Sequence, residues 1–226
     1  MNKMISLLAS TALLTLTQAG YSDQSNEQTK AVAPIPQQEA AAQVPASQQE
    51  VAGAATIPQQ EVVEAALYGK VETIKKALAQ GYEVDSRDPE KRTALMYASF
   101  NGQTAIVKML IEAGADVNAQ DTVGTSALMF AASAPTGSET VQVLLGAGAK
   151  VNMIDNTEHF TALMWAAAEG QADNVMLLLK NEADATLKDV DGDTAESFAA
   201  KKGHTAIVQI IQDAAPKKPE EEKKAE

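Results

Sequence analysis

A chain of 226 residues with 45% apolar but only 4% aromatic side chains has the composition of a globular protein whose core must be built from Ala, Leu, Val, Ile and Met. Thirty acidic residues against 18 basic ones give a net charge of −12, which repels phosphate backbones and anionic lipid and argues against nucleic acid as a partner. With no cysteine in the sequence, disulfides, thiolate metal sites and a cysteine nucleophile are excluded.

The first nineteen residues, MNKMISLLASTALLTLTQA, combine one basic residue, Lys3, an apolar stretch and small residues before a plausible cut. This pattern is expected to be a cleaved signal peptide. The run is interrupted by Ser6, Ser10, Thr11 and Thr15 and is shorter than the ~20 residues a membrane span needs. An exported chain without thiols suits an oxidising compartment, so the expected location is the bacterial periplasm, with no membrane span after cleavage. Residues 20–60 are rich in Gln, Ala, Pro and Glu and too poor in large apolar side chains to offset ordering entropy, which reads as a disordered linker. Within them a unit recurs as IPQQEAAAQVP from Ile35, ASQQEVAGAAT from Ala46 and IPQQEVVEAAL from Ile57. At the far end, residues 215–226 form a charged, proline-containing tail that reads as solvated.

Between linker and tail a pattern of period about 33 repeats, best seen on Ala65, Ala98, Ala131, Ala166 and Ala199. The spacing predicts an all-α solenoid of about five units, divided near 61–88, 89–121, 122–155, 156–189 and 190–214, each a pair of helices with a short turn finger. Thr93, Ser126, Thr161 and Thr194 stand where a hydroxyl can cap a short first helix. In the second helix Ile106, Val107, Leu110 and Ile111 form an apolar stripe. Gly81, Gly114 and Gly148 supply a left-handed residue at its end, and the following Asp and Asn side chains are expected to brace the turn. One pair cannot bury its own stripe, so the units must stack.

TALMYA, SALMFAA and TALMWAA, together with V-x-x-L-L, G-A-D-V-N and a closing Asp at that period, resemble the ankyrin repeats, whose usual signature is T-P-L-H-x-A-A. The resemblance covers residues 61 to 214 and implies a curved stack whose concave face, made of fingers and first helices, binds other proteins. Departures are Ala94, Ala127 and Ala162 for the usual Pro, and Met96, Met129 and Met164 for the usual His. Glu182 takes the place of the helix-ending Gly, where Asn181 is a second candidate for the left-handed position. The third unit has one extra residue in SAPTGS, the fourth finger is one longer at NTEHF, and Glu196 replaces a core Leu in the last unit.

Tyr97, Phe130, Trp165 and Phe198 occupy one position in four consecutive units, with Phe100 one turn later in the second. On the face implied by the resemblance these five residues are the expected apolar contacts to a protein partner, although the rings can equally fill space between neighbouring helices. Arg92, Thr125, His159 and Phe160, in the fingers, are the expected specificity contacts. Neither histidine has a Cys or second His at metal-ligand spacing, and no nucleophile motif or phosphate cradle occurs, so the chain is expected to be non-catalytic, monomeric and free of metal and cofactor. Asp189, Asp191 and Asp193 have calcium-loop spacing, but Thr194 and Ala200 stand where that loop needs Gly and Glu. Alternative functions are an immunity-type inhibitor of a secreted effector, a partner of a catalase in peroxide defence, and, in another class, a carrier of haem or a small ligand.

Overall fold

The computed structural model describes residues 57–214. The expected signal peptide, most of the linker with its earlier copies of the QQE unit, and the charged tail lie outside the described residues. Among the described residues ten helices follow one another in pairs: α1 (Gln59–Tyr68) and α2 (Val71–Ala79), α3 (Ala94–Phe100) and α4 (Thr104–Glu112), α5 (Ala127–Ser133) and α6 (Ser138–Gly146), α7 (Ala162–Ala168) and α8 (Ala172–Lys180), α9 (Ala195–Lys202) and α10 (Thr205–Ala214). The first helix of each pair packs on the first helix of the next, and the second helices do the same, which makes two layers. The described residues form no strand beyond an isolated bridge between Gln120 and Ser126.

In the second to fifth pairs the first helix starts because a hydroxyl takes an amide hydrogen that the helix itself leaves unbonded, whereas α1 follows Pro58 without a side-chain cap. Thr93 accepts from the Met96 amide at 3.4 Å, Ser126 from Met129 at 3.4 Å, Thr161 from Met164 at 3.2 Å and Thr194 from Ser197 at 3.3 Å. The methionines that stand in for the family's usual His are buried, and the sulfur of Met129 receives the Ser126 amide at 3.5 Å. Leu95, Leu128 and Leu163 face inward beside small alanines that let neighbouring helices approach closely. From the second helices come Ile74, Ile106, Val107, Leu110, Val141, Leu144, Val175 and Leu178, all fully buried. Dispersion and the hydrophobic effect act across the unit boundaries, since each stripe is covered by the next pair.

Second helices end in a left-handed residue at Gly81, Gly114 and Gly148, with φ between 80° and 92°. In the fourth unit Glu182 itself adopts φ 65°, whereas Asn181 stays at φ −102°. The Asn and Asp that follow reach further than expected. Asn118 accepts the Lys150 amide at 2.8 Å and donates to the Gly148 carbonyl at 3.2 Å, and Asn152 does the same with the Asp184 amide and the Glu182 carbonyl. Asp85 accepts the Asp116 amide at 3.0 Å. These side chains clamp the turn of the next unit instead of bracing only their own, so the turns add a row of unit-to-unit hydrogen bonds to the helix packing.

Candidate functional site

Every finger is organised by one aspartate at its base. Asp121 Oδ1 accepts the amides of Val123 and Thr125 at 3.0 and 2.8 Å, while its own amide donates to the Thr125 carbonyl at 3.1 Å. Asp155 takes amides from Thr157, Glu158, His159 and Phe160, and Asp189 those of Asp191 and Asp193. A carboxylate that accepts several amide hydrogens in a tight turn holds the chain in that turn. In the last finger Asp189 Oδ1 is therefore engaged by backbone donors, the turn-plus-helix-start arrangement.

Neighbouring fingers are also joined to each other. The Thr122 amide donates to the Glu90 carbonyl at 2.9 Å, Asn156 to Val123 at 2.9 Å and Val190 to Glu158 at 3.1 Å. Four fingers thus share one hydrogen-bonded edge.

The residue just before each finger closes is left-handed: Lys91, Gly124, His159 and Gly192. His159 therefore has φ 60° and an exposed side chain, which agrees with its projecting from the finger. The three finger residues paired with it as specificity contacts sit elsewhere than expected. Arg92, Thr125 and Phe160 are buried at the finger bases, because each closes the turn by pairing its backbone with the finger aspartate. The Arg92 guanidinium meets Asp121 Oδ2 at 3.3 Å and lies 5.7 Å from the Phe130 ring centre, so it ties the second unit to the third. Side chains exposed on the fingers are instead Pro89, Lys91, Thr122, Asn156, Thr157, Val190 and Asp191. Sequence reasoning missed them, though their signal was available: they flank the aspartate in the tip of each turn.

The rings fall into two clusters. Phe100 meets Phe130 edge-on at 6.0 Å, and Phe160 meets Trp165 at 6.0 Å and Phe198 at 5.2 Å, with Lys201 over the Phe198 ring at 5.9 Å. Trp165 is 7% exposed, and Phe130 and Phe198 are buried with it, so most of each ring is covered by the adjacent unit. Edge-to-face pairs of this kind add roughly 0.5–1.5 kcal/mol to the area they bury. Tyr97 and Phe100 remain partly open. Tyr97 donates from its hydroxyl to Asp88 Oδ2 at 2.6 Å, and burial followed by the adjacent carboxylate pushes its pKa well above the ordinary value of 10.0.

The large apolar side chains exposed among the described residues are Val190 on the last finger, 51% exposed, Ile154 just before the finger aspartate Asp155, Tyr68 at the end of α1 and Met176 on α8. His204 reaches the Ala168 carbonyl at 3.3 Å across a unit boundary, whereas His159 is exposed on its finger and Met96, Met129 and Met164 are buried. No helix among the described residues is long and apolar enough to cross a membrane.

No curated protein matches the chain. A family model of ankyrin repeats, built as three copies, matches twice, over residues 62–155 and 128–220. Its two overlapping matches run through all the helix pairs and span well over half of the sequence, and the chain belongs to the ankyrin-repeat family.

Proposed function

We propose that this protein is a monomeric, non-catalytic scaffold of the bacterial periplasm that binds a protein partner through the face formed by its fingers and first helices. Ankyrin repeats in general are scaffolds for protein–protein interaction, and proteins built from them are typically not enzymes. The observation that carries the reading is the hydrogen-bonded edge running from Glu90 through Thr122, Val123, Asn156 and Glu158 to Val190. Loops joined in this way lose little further entropy on binding, which favours association. Export is supported by the amino-terminal apolar segment and by the lack of cysteine.

Crosslinking of the full chain in intact cells, followed by purification, tests both parts. Three forms are compared: wild type, Val190→Glu on the last finger, and Met176→Glu on the exposed side of α8 in the opposite layer. Wild type and Met176→Glu are expected to recover the same partner from the periplasmic fraction, and Val190→Glu to recover at least tenfold less. Equal recovery by all three removes the finger face from consideration, and a chain found only in the cytoplasm removes the location.

A further inference from the structure

The open end of the first unit contains a cavity of about 250 Å³ between the start of α1 and the end of α2, lined among others by Ile57, Gln59, Ala77, Gln80, Tyr82 and Glu83. Two buried polar atoms that make no hydrogen bond belong to its walls, Gln59 Nε2 and Gln80 Oε1, beside the buried Tyr82 hydroxyl, whose partner is Ser86. The other such atoms among the described residues, on Ser99, Trp165 and Asn174, are in separate units. A native interior normally satisfies buried donors and acceptors, so two unmet groups around one hollow describe the chemistry of what it can bind.

Their chemistry narrows the occupant. Gln59 Nε2 needs an acceptor, Gln80 Oε1 needs a donor, and the Tyr82 hydroxyl can serve as either. A carboxylate would satisfy Gln59 but would face the Gln80 oxygen and the Glu83 side chain. An ammonium group would satisfy Gln80 but leave Gln59 unmet. One neutral group offers an acceptor and a donor side by side. We propose that this cavity is a binding site for a carboxamide, whose carbonyl accepts from Gln59 Nε2 and whose NH2 donates to Gln80 Oε1, with Ile57 and Ala77 against the adjoining carbons. The same group is carried by a free small amide and by the glutamine or asparagine side chain of a peptide. The site is separate from the finger face and does not depend on how that face is used.

Ligand-observed and protein-observed NMR on the full chain test this with propionamide, its isosteric anion propionate, and a blocked Ala-Gln-Ala peptide as probes. Propionamide is expected to shift the Tyr82 ring resonances saturably, and propionate to give at least tenfold weaker binding. Gln80→Leu and, on the opposite wall, Gln59→Met are each expected to weaken propionamide at least tenfold while the Trp165 emission of the folded domain is retained. Tighter binding of the peptide assigns the site to side-chain amides, and equal or weaker binding assigns it to free amides. Saturable binding of propionate as tight as that of propionamide overturns the proposal. So does the absence of any saturable shift, or an unchanged affinity in both folded variants.

Discussion

At the scale of single residues, backbone strain lies at three side chains that take a conformation glycine adopts without cost: Lys91, His159 and Glu182. A left-handed L-residue costs roughly 1–2 kcal/mol, and glycine in its place gives back about 0.5–1 kcal/mol of this through unfolded-state entropy. Glu182→Gly is therefore expected to stabilise the fold by about 0.5–1 kcal/mol in urea unfolding. His159→Gly should gain less, because His enters this region more readily than Glu. If neither variant raises the urea midpoint, the strain is being relieved by something other than the residue. Retention of a strained His where Gly124 and Gly192 serve two of the other three fingers fits a contact role, so His159→Gly should weaken crosslinking to the partner even as it steadies the fold. Tyr97 gives a second expectation, this one in pH. Its folded pKa is raised, so the stability it contributes is complete below the unfolded value near 10.0 and is lost as pH climbs towards the folded one. The advantage of wild type over Tyr97→Phe should therefore be constant from pH 7 to about 9 and shrink at higher pH. A difference that stays flat to about pH 11 would show that Asp88 and burial do not act on this hydroxyl.

At the scale of elements, the third helix pair departs from its neighbours and is repaired from outside. In the other units the carbonyl at the centre of the first helix, on Ala65, Ala98, Ala166 or Ala199, accepts the amide five residues on, across a left-handed glycine. The extra residue in SAPTGS removes that arrangement, and α5 ends in extended backbone at Ala134. The amide group of Asn174, buried in α8 of the next unit, supplies the donor that the Ala132 carbonyl lacks, at 2.9 Å, and reaches the carbonyls of Ala131 and Ala134, which also accept the Ala134 and Gly137 amides, at 3.4 and 3.3 Å. Asn174 stands where Ile106 and Ile207 occur, so Asn174→Ile looks like a return to the apolar stripe. It is nevertheless expected to destabilise by about 1–3 kcal/mol, because the Ala132 carbonyl would be left buried and unpaired. Replacing residues 134–137 with the Asn-Gly-Gln of the second unit should abolish that cost, and thermal melts of the four forms would give the coupling. Additive effects would rule out the repair. The contrast also marks what could be read in the sequence. Caps at Thr93 or Thr161, turn glycines and finger aspartates act on backbone within five residues, so their spacing reveals them. Asn174 serves carbonyls 40 to 43 residues away, and its only trace is a polar residue in an apolar stripe one unit after an insertion. The rings were legible as a position but not as a surface, because their burial is decided by the neighbouring unit.

At the scale of the whole described stack, helix packing crosses all four boundaries between successive pairs, and three turn clamps, from Asp85, Asn118 and Asn152, and three finger-to-finger hydrogen bonds add to it. Stability in such an array is a sum of unit terms and interface terms, and strong interfaces make the units unfold together. The terminal pair α9 and α10 has a neighbour on one side only. It is held at its inner side by Phe198 against Phe160, by His204 on Ala168, and by α10 against α8. Trp165, the sole tryptophan, stands in α7 of the fourth unit, against Phe160 of the same unit. Its emission and the far-ultraviolet circular dichroism are expected to trace one urea transition in wild type. Phe198→Ala deletes the ring that covers Phe160, at a cost of roughly 3–5 kcal/mol. Nearly all of that loss falls on the last unit and its single interface. The dichroism should then begin to fall at lower urea than the Trp165 signal, because two helices unfold while four pairs remain stacked. If both probes shift together by the same amount, interface terms dominate so completely that the stack behaves as one unit, and the terminal pair cannot open alone.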